Sequence, residues 1–283
     1  MTPAAAGIAF TDLDGTLLAH EDYDWRPAAP ALEALRARGI PLVLASSKTR
    51  REIDSWRRRI GNADPFIAEN GGALVVPEGW LAEAPTGALR RGGMWVFELG
   101  TPYARLRAAL PVVARDAGLE VRGFGDLRQE EVARLTGISG DDLDAAMARE
   151  YDEPFVIAGT PPRGADDALC AAAARHGLQV TRGGRFRHLL GDNDKGRAAR
   201  MLLELAGGAG RRPRSMAAGD SANDVELLAA VDRAIVVARP GGRHAPELRE
   251  RLPDARFTRG IGPYGFREGV LAVLAEWEGA APG

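Results

Sequence analysis

Two carboxylates spaced i, i+2, Asp12 and Asp14, stand in the stretch GIAFTDLDGTLL at residues 7–18. The apolar run at 8–10 reads as a strand that delivers both acids at its carboxyl end, where Gly15 and Thr16 break the pattern. Open α/β sheets bind ligands outside the carboxyl ends of their strands. Two acids this close can share one hard cation, and Mg2+ is usually held by one or two carboxylates together with phosphate oxygens. The chemistry indicated is phosphoryl transfer. Taken alone, an Asp-x-Asp-Gly is more often a solvated turn. A calcium loop fails on spacing: with Asp12 at position 1, Gly15 falls at 4 and Tyr23 at 12, where an EF-hand requires Gly at 6 and Glu at 12.

Three further polar stretches raise the first above a turn. The run PLVLA at 41–45 reads as a buried parallel strand ending in Ser46, Ser47, Lys48 and Thr49. Two hydroxyls, an ammonium and the free N–H groups of a helix expected over 50–60 make a phosphate cradle, although a plain Ser/Thr helix cap would look the same. The stretch GDNDKG at 191–196 opens a helix over 197–205, so Lys195 can deliver an ammonium to a phosphate. The small-residue strand SMAAG at 215–219 ends in Asp220, placed to complete a cation site with Asp12, and Asn223 and Asp224 follow. Of 37 basic residues only Lys48 and Lys195 are lysines. Both fall in these stretches, where a compact ammonium serves better than a planar guanidinium.

Positioning these groups requires strands and helices in alternation. A helix over 28–38 stopped by Gly39, the strand at 41–45, the helix at 50–60 and a strand at 65–68 leading into Glu69-Asn70-Gly71-Gly72 give the cadence of a parallel sheet covered by helices. From 85 to 190 the texture changes to short strand-like runs at 120–122, 155–158 and 179–181 between helices at 105–117 and 166–176. The 283 residues suit two domains, with a core of 1–84 and 191–283 and an inserted α+β unit of 85–190. A formal net charge of -2 gives no general attraction to nucleic acid or an anionic membrane. The one cysteine, Cys170, cannot form an internal disulfide and reads as a buried structural thiol in a reducing compartment. Residues 1–6 lack the features of a leader, no run approaches 18 apolar residues, and a cytoplasmic protein is expected.

In this order, Asp12-Leu13-Asp14-Gly15-Thr16, Ser46-Ser47-Lys48-Thr49, Asp194-Lys195-Gly196 and Gly219-Asp220-Ser221-Ala222-Asn223-Asp224 resemble the four motifs of the haloacid dehalogenase-like phosphatases. The insertion between the second and third motifs is similar to the large α+β cap of one branch of that family. The implied fold class is α/β, a Rossmann-like parallel-sheet core with an inserted α+β cap domain. The stretches ENGG at 69–72, REYDEPF at 149–155 and GRFRHL at 184–189 narrow the resemblance to members that act on mannosyl-3-phosphoglycerate. Arg187 departs from the aromatic residue expected at its position.

The resemblance implies Asp12 as nucleophile, Asp14 as general acid and base, and Ser46 and Lys195 as phosphoryl ligands. It implies Mg2+ held by the Asp12 carboxylate, the Asp14 carbonyl and Asp220, with Asn223 and Asp224 orienting Lys195 and its surroundings. A phosphorylated sugar acid also offers a carboxylate and hydroxyls. Arg185 is the candidate for the carboxylate, since a guanidinium grips one in two bonds. Ser47, Lys48, Glu153, His188 and Asn223 are candidates for the remainder. Two classes stay open on sequence alone: a metal-dependent phosphatase of a glycosylated phosphoglycerate or another sugar phosphate, and a catalytically silent phosphometabolite binder.

Overall fold

The computed structural model describes residues 7–183, 186–207 and 212–279. In chain order the strands are β1 (Ile8–Thr11), β2 (Leu42–Ala45), β3 (Phe66–Ala68), β4 (Ala73–Pro77), β5 (Leu89–Arg91), β6 (Met94–Glu98), β7 (Val121–Gly123), β8 (Asp152–Ile157), β9 (Gln179–Gly183), β10 (Phe186–Leu190), β11 (Ser215–Gly219), β12 (Arg233–Ala238) and β13 (Arg256–Ile261). The α-helices are α1 (Ala29–Ala37), α2 (Arg50–Ile60), α3 (Tyr103–Asp116), α4 (Gln129–Thr136), α5 (Asp141–Met147), α6 (Ala165–Arg175), α7 (Lys195–Gly207), α8 (Val225–Ala229), α9 (Pro246–Arg251) and α10 (Pro263–Gly279).

The first sheet has the order β13-β12-β11-β1-β2-β3-β4-β6-β5. Neighbours from β13 to β3 are parallel, and β4, β6 and β5 continue the edge antiparallel. The chain winds outward from β1 to β3 on one side and returns through β11 to β13 on the other. The switch of direction lies between β1 and β11, so the ends of β1, β2 and β11 border one crevice. Side chains alternate across the sheet. Ile8, Phe10, Val43 and Ala217 pack with Leu202 of α7 and Leu228 of α8, whereas Ala9, Leu42, Leu44 and Met216 pack with Leu35 of α1, Ile53 of α2 and Phe266 of α10. Burial on both faces is why these strands read as continuous apolar runs.

The second sheet is antiparallel, in the order β7-β8-β10-β9. Helices α3 and α6 cover one face, packing Leu106, Leu110 and Leu169 against Phe155, Ile157 and Leu189. The opposite face carries Asp152 and His188, by the alternation of β8 and the pairing of His188 with Pro154.

Two sequence expectations are corrected, and one strand is added to the sheet. Residues 89–98, assigned to the insertion on the change of texture at 85, form β5 and β6 and hydrogen-bond onto β4 in the first sheet. β5 is exposed along its length, so no apolar period marks it. β13, unread in the sequence, joins the parallel array as an edge strand with only Thr258 buried. Cys170 is exposed: α6 buries Leu169, Ala172 and Ala173, and residue 170 falls off that face at 100° per residue. Among the described residues no helix is long and apolar enough to cross a membrane.

Candidate active site

Asp12 follows directly on β1. Beyond it, residues 13–18 close a tight turn through Gly15 N to Leu18 O (2.9 Å) and Leu18 N to Leu13 O (2.8 Å). Gly15 takes φ +79°, a conformation that costs other residues energy, and a Cβ there would meet Asp220 Oδ2 at 3.1 Å and His20 Nε2 at 2.8 Å. Lys195 Nζ donates to Asp12 Oδ1 at 2.8 Å and to Asp224 Oδ1 at 2.7 Å, and its side chain is only 1% exposed. At the start of α7 Gly196 lies so close to the Glu226 carbonyl that a Cβ would approach it to 2.1 Å, so a side chain there would displace the helix start.

Asp224 is fully engaged. Its second oxygen accepts from the backbone N–H of Asp220 (3.1 Å) and Ser221 (3.2 Å). Asp220 is buried, with Arg239 at 3.4 Å and His20 at 3.9 Å from Oδ2. Oxygens of Asp12, Asp220 and Asp224 lie within 4.8 Å of one another. Carboxylates packed closely away from water resist ionisation, and Asp12 and Asp220 show it. Burial pushes the Asp12 carboxyl up to about 7 even though Lys195 pulls it down, with Asp224 and Asp14 adding to the rise. Burial, then Asp224 and Asp12, hold Asp220 well above the usual carboxylate range. Burial alone would lower Lys195, but Asp12 and Asp224 outweigh it and keep the ammonium charged.

The end of β2 supplies the facing wall. Thr49 caps α2, its hydroxyl accepting from Glu52 N (3.1 Å) while Glu52 accepts from Thr49 N (2.9 Å), a reciprocal box that fixes where the preceding loop ends. Ser46 is buried, its Oγ accepting from Lys48 N at 3.2 Å. Lys48 Nζ lies 2.8 Å from Asp14 Oδ2 and 5.2 Å from the Tyr23 ring centroid. Against the penalty of burial, Asp14 and Glu52 raise the pKa of Lys48. Asp14 Oδ1 has no protein partner.

Between β3 and β4 the chain turns through Glu69 (φ +48°) and Asn70 (φ +58°), two successive non-glycine residues in the left-handed region. Each costs about 1–2 kcal/mol, and the surrounding bonds hold them there. Glu69 N donates to Lys48 O (3.0 Å) and Asn70 N to Ser46 O (2.9 Å). Asn223 Nδ2 donates to Asn70 Oδ1 at 3.2 Å. The buried Glu69 carboxylate accepts from Glu150 N (2.9 Å) and Tyr151 N (2.7 Å). Burial, reinforced by Asp152 and countered by Arg149, pushes that carboxyl up to about 8.

Of the residues proposed from sequence, the structure gathers Asp12, Asp14, Ser46, Lys48, Lys195, Asp220 and Asn223 at the ends of β1, β2 and β11, with Ser47 beside them accepting from Arg149 Nη1 through its carbonyl (2.9 Å). His188 lies, buried, on the face of the second sheet opposite α3 and α6, its Nδ1 2.8 Å from Asp152 Oδ2. Arg149 joins that pair to the Ser47 loop, standing 3.5 Å from Asp152. Glu153 does not join the group. It shares the helix-covered face with Phe155 and Leu189, fully buried, near Arg107 at 3.8 Å and accepting from Gly125 N at 3.2 Å. Arg187 is turned to the same face and pairs with Asp166 of α6, which explains why an arginine can stand where an aromatic was expected. Arg185 lies outside the described residues. Sequence reasoning missed Glu69, Arg149, Asn193, His20 and Arg239 as neighbours of the site. The ENGG, REYDEPF and GDNDKG stretches were the available signals for Glu69, Arg149 and Asn193, whereas nothing local marked His20 and Arg239.

An aspartate nucleophile candidate at a strand end, a buried lysine, a third acid and a covering α+β sheet define a class. The chain belongs to the haloacid dehalogenase-like hydrolases, whose family model matches residues 9–83, and it is a phosphoric monoester hydrolase. It is 37% identical over 269 residues to the glucosyl-3-phosphoglycerate/mannosyl-3-phosphoglycerate phosphatase of Methanococcoides burtonii, covering 95% of this chain and 97% of that one. It is 35% identical to the mannosyl-3-phosphoglycerate phosphatase of Pyrococcus furiosus, covering 81% and 90% of the two chains. Among solved structures, the sucrose-phosphatase of Synechocystis superposes with a TM-score of 0.62 at 17% identity, covering 96% and 98%, which shows the shared fold.

Proposed function

We propose that the chain hydrolyses mannosyl-3-phosphoglycerate, and glucosyl-3-phosphoglycerate beside it, to the glycosylglycerate and phosphate. The observation that carries the chemistry is Lys195 bridging Asp12 and Asp224 next to Asp220. The choice of substrate is supported by the names of relatives that match nearly the whole chain, of which the Methanococcoides burtonii protein and that of Persephonella marina carry both sugars. We place the enzyme in the cytoplasm, since a single cysteine needs no oxidising compartment.

Asp12 attacks phosphorus, forming an acyl phosphate as the ester P–O bond breaks. Asp14 gives a proton to the departing alkoxide, then takes one from the water that cleaves the acyl phosphate and restores the Asp12 carboxylate. Lys195 and the Ser46 hydroxyl bind the transferring oxygens, and their fixed placement supplies most of what phosphoryl transfer asks of a protein. The neighbourhood suits a hard divalent cation: its donors are all oxygen, and the crowding that raises Asp220 is relieved by positive charge. Asp12, the Asp14 carbonyl and Asp220 would hold Mg2+, Asp224 having its oxygens already committed. The ion would supply charge neutralisation between anionic nucleophile and anionic phosphate.

The test is phosphate release from both glycosylated phosphoglycerates, simple sugar phosphates and an aryl phosphate, with Mg2+ present, for wild type and Asp12→Asn. Wild type should prefer the glycosylated phosphoglycerates, and the variant should fold but lose at least ~10³-fold in kcat. A variant within a few-fold of wild type removes Asp12 as nucleophile. Preference for a simple sugar phosphate removes the substrate reading.

A further inference from the structure

The mechanism leaves Glu69 unused, although this buried acid sits in the most contorted turn of the described core and reaches out of it. Its backbone faces the phosphoryl side: the N–H groups of Glu69 and Asn70 hold the carbonyls of Lys48 and Ser46 at 3.0 and 2.9 Å. Its side chain runs the other way, to the amides of Glu150 and Tyr151 at 2.9 and 2.7 Å. Those two residues immediately precede β8, whose first residue, Asp152, holds His188 on the face of the second sheet opposite α3 and α6.

The second sheet is joined to the first covalently through residues 99–102 and 191–193. At the second junction Asn193 Nδ2 donates to both the Glu69 carbonyl and the Tyr151 carbonyl, each at 2.9 Å. At the first, Tyr103 N donates to Glu150 O (2.8 Å), and Leu99 N and Gly100 N donate to Gly72 O (2.8 Å each). Segment 150–151 is one of several non-covalent connections, beside Thr49 Oγ1 donating to Ala145 O (2.7 Å) and Arg50 paired with Glu150 (3.0 Å), and the Glu69 carboxylate is the core side chain that accepts from its amides. A carboxylate accepting two backbone N–H groups in a dry setting is a directional tie. The left-handed φ values of Glu69 and Asn70 point the side chain and the backbone amides in these different directions.

We propose that Glu69 is a positioning residue for catalysis: it fixes the Asp152–His188 face of the cap in register over the phosphoryl site by tying the 150–151 amides to the turn that also holds Ser46 and Lys48. The consequence is a division of labour. Phosphoryl chemistry on a small ester needs only the core, whereas a substrate that fills the space up to the cap face needs the tie. The substrate arm of the test rests on the proposed glycosyl phosphoglycerate reading, and the amide arm does not.

Two variants make the test. Glu69→Gly suits the positive φ and removes the carboxylate. Glu69→Gln keeps one acceptor oxygen and the side-chain length. Hydrogen exchange of the Glu150 and Tyr151 amides should accelerate at least tenfold in Glu69→Gly while the amides of β1 and β2 keep their protection. KM for mannosyl-3-phosphoglycerate should rise at least tenfold, with kcat/KM for an aryl phosphate within threefold of wild type. Glu69→Gln should fall between wild type and Glu69→Gly on both measures. Unchanged protection at 150 and 151 overturns the tie, as does loss of protection spread evenly over β1 and β2. Equal losses on the two substrates overturn the positioning role. If wild type ignores glycosylated phosphoglycerates, the substrate reading fails while the amide result still decides the tie. Should Glu69→Gly fail to fold, the same comparisons on Glu69→Gln decide the matter.

Discussion

Replacing Lys195 with methionine removes one ammonium from a site where two carboxylates share it. The side chain is 1% exposed, and its partners Asp12 and Asp224 are 8% and 0% exposed, so little water reaches the vacated charges. Breaking a buried pair by deleting one partner costs about 3–5 kcal/mol, which for a chain of this size lowers Tm by roughly 10 °C. The loss depends on pH in a definite direction. Asp12 titrates at about 7 in the folded protein against an ordinary 3.8, with Lys195 pulling that value down, so the variant's Asp12 titrates higher still. A folded-state pKa above the unfolded one means that the folded protein binds more protons, and stability grows as pH falls through that range. Measured without Mg2+, the destabilisation of Lys195→Met should therefore be largest near pH 8 and less than half as large at pH 5, where Asp12 is neutral in both proteins. With Mg2+ and saturating substrate, kcat should drop by about 10²–10³-fold or more, the cost of losing one preorganised donor to the transferring oxygens. Thermal melts at the two pH values and a phosphate-release assay decide it. A destabilisation independent of pH, or kcat within tenfold of wild type, would refute the account of Lys195 as the shared counter-charge and phosphoryl ligand.

Mg2+ binding should release protons, because Asp12 and Asp220 are raised without a cation and must be ionised to hold one. The apparent Kd should tighten by about tenfold per pH unit for each proton released between pH 5.5 and 7, up to about a hundredfold where both acids start protonated; calorimetry in two buffers of different ionisation enthalpy measures it, and a Kd flat across that range would contradict the buried-acid picture. Arg187→Ala should leave kcat/KM on mannosyl-3-phosphoglycerate within threefold, since the guanidinium pairs with Asp166 on the helix-covered face, and should cost only about 0.2–1 kcal/mol of stability. A tenfold loss of kcat/KM would place that side chain at the substrate instead.

The parts of the fold that sequence predicts well are those buried on both faces. β1 and β2 carry four buried residues each, β11 five, and their continuous apolar or small-residue runs leave no other reading. α2 was bounded correctly at both ends because its stops are local chemistry: the Thr49–Glu52 box at one end and Gly61 at φ +65° at the other. The antiparallel extension of the core failed for the opposite reason. Leu89–Arg91 is exposed throughout and Met94–Glu98 buries only Val96 and Phe97, so period and composition alone cannot assign them to one sheet or another. β13 is an edge strand carrying two arginines, whose membership is decided by pairing with β12.

The same distinction governs the site. Asp12, Ser46, Lys195 and Asp220 are legible because each follows or opens an element whose end the sequence marks, and the sheet order then brings three strand ends together. Cap residues depend on which face of a short antiparallel strand they occupy, and a shift of one residue reverses the answer. Glu153 and His188 look equally suitable as polar residues in a strand. Pairing of β8 with β10 sets Glu153 opposite Leu189, on the side packed by α3 and α6, and His188 opposite Pro154, on the other side. No local property of Glu153 announces this, because the decision is made by helices 40 residues before it and 10 residues after it in the chain, roughly where α3 ends and α6 begins. Glu69 is the converse case. Its carboxylate finds partners 81 and 82 residues away, in the backbone amides of residues whose side-chain identities carry no trace of the bond. Interactions made through main-chain N–H groups are invisible to any reading of residue types, and the bonds from Glu69 to the 150–151 segment are of that kind.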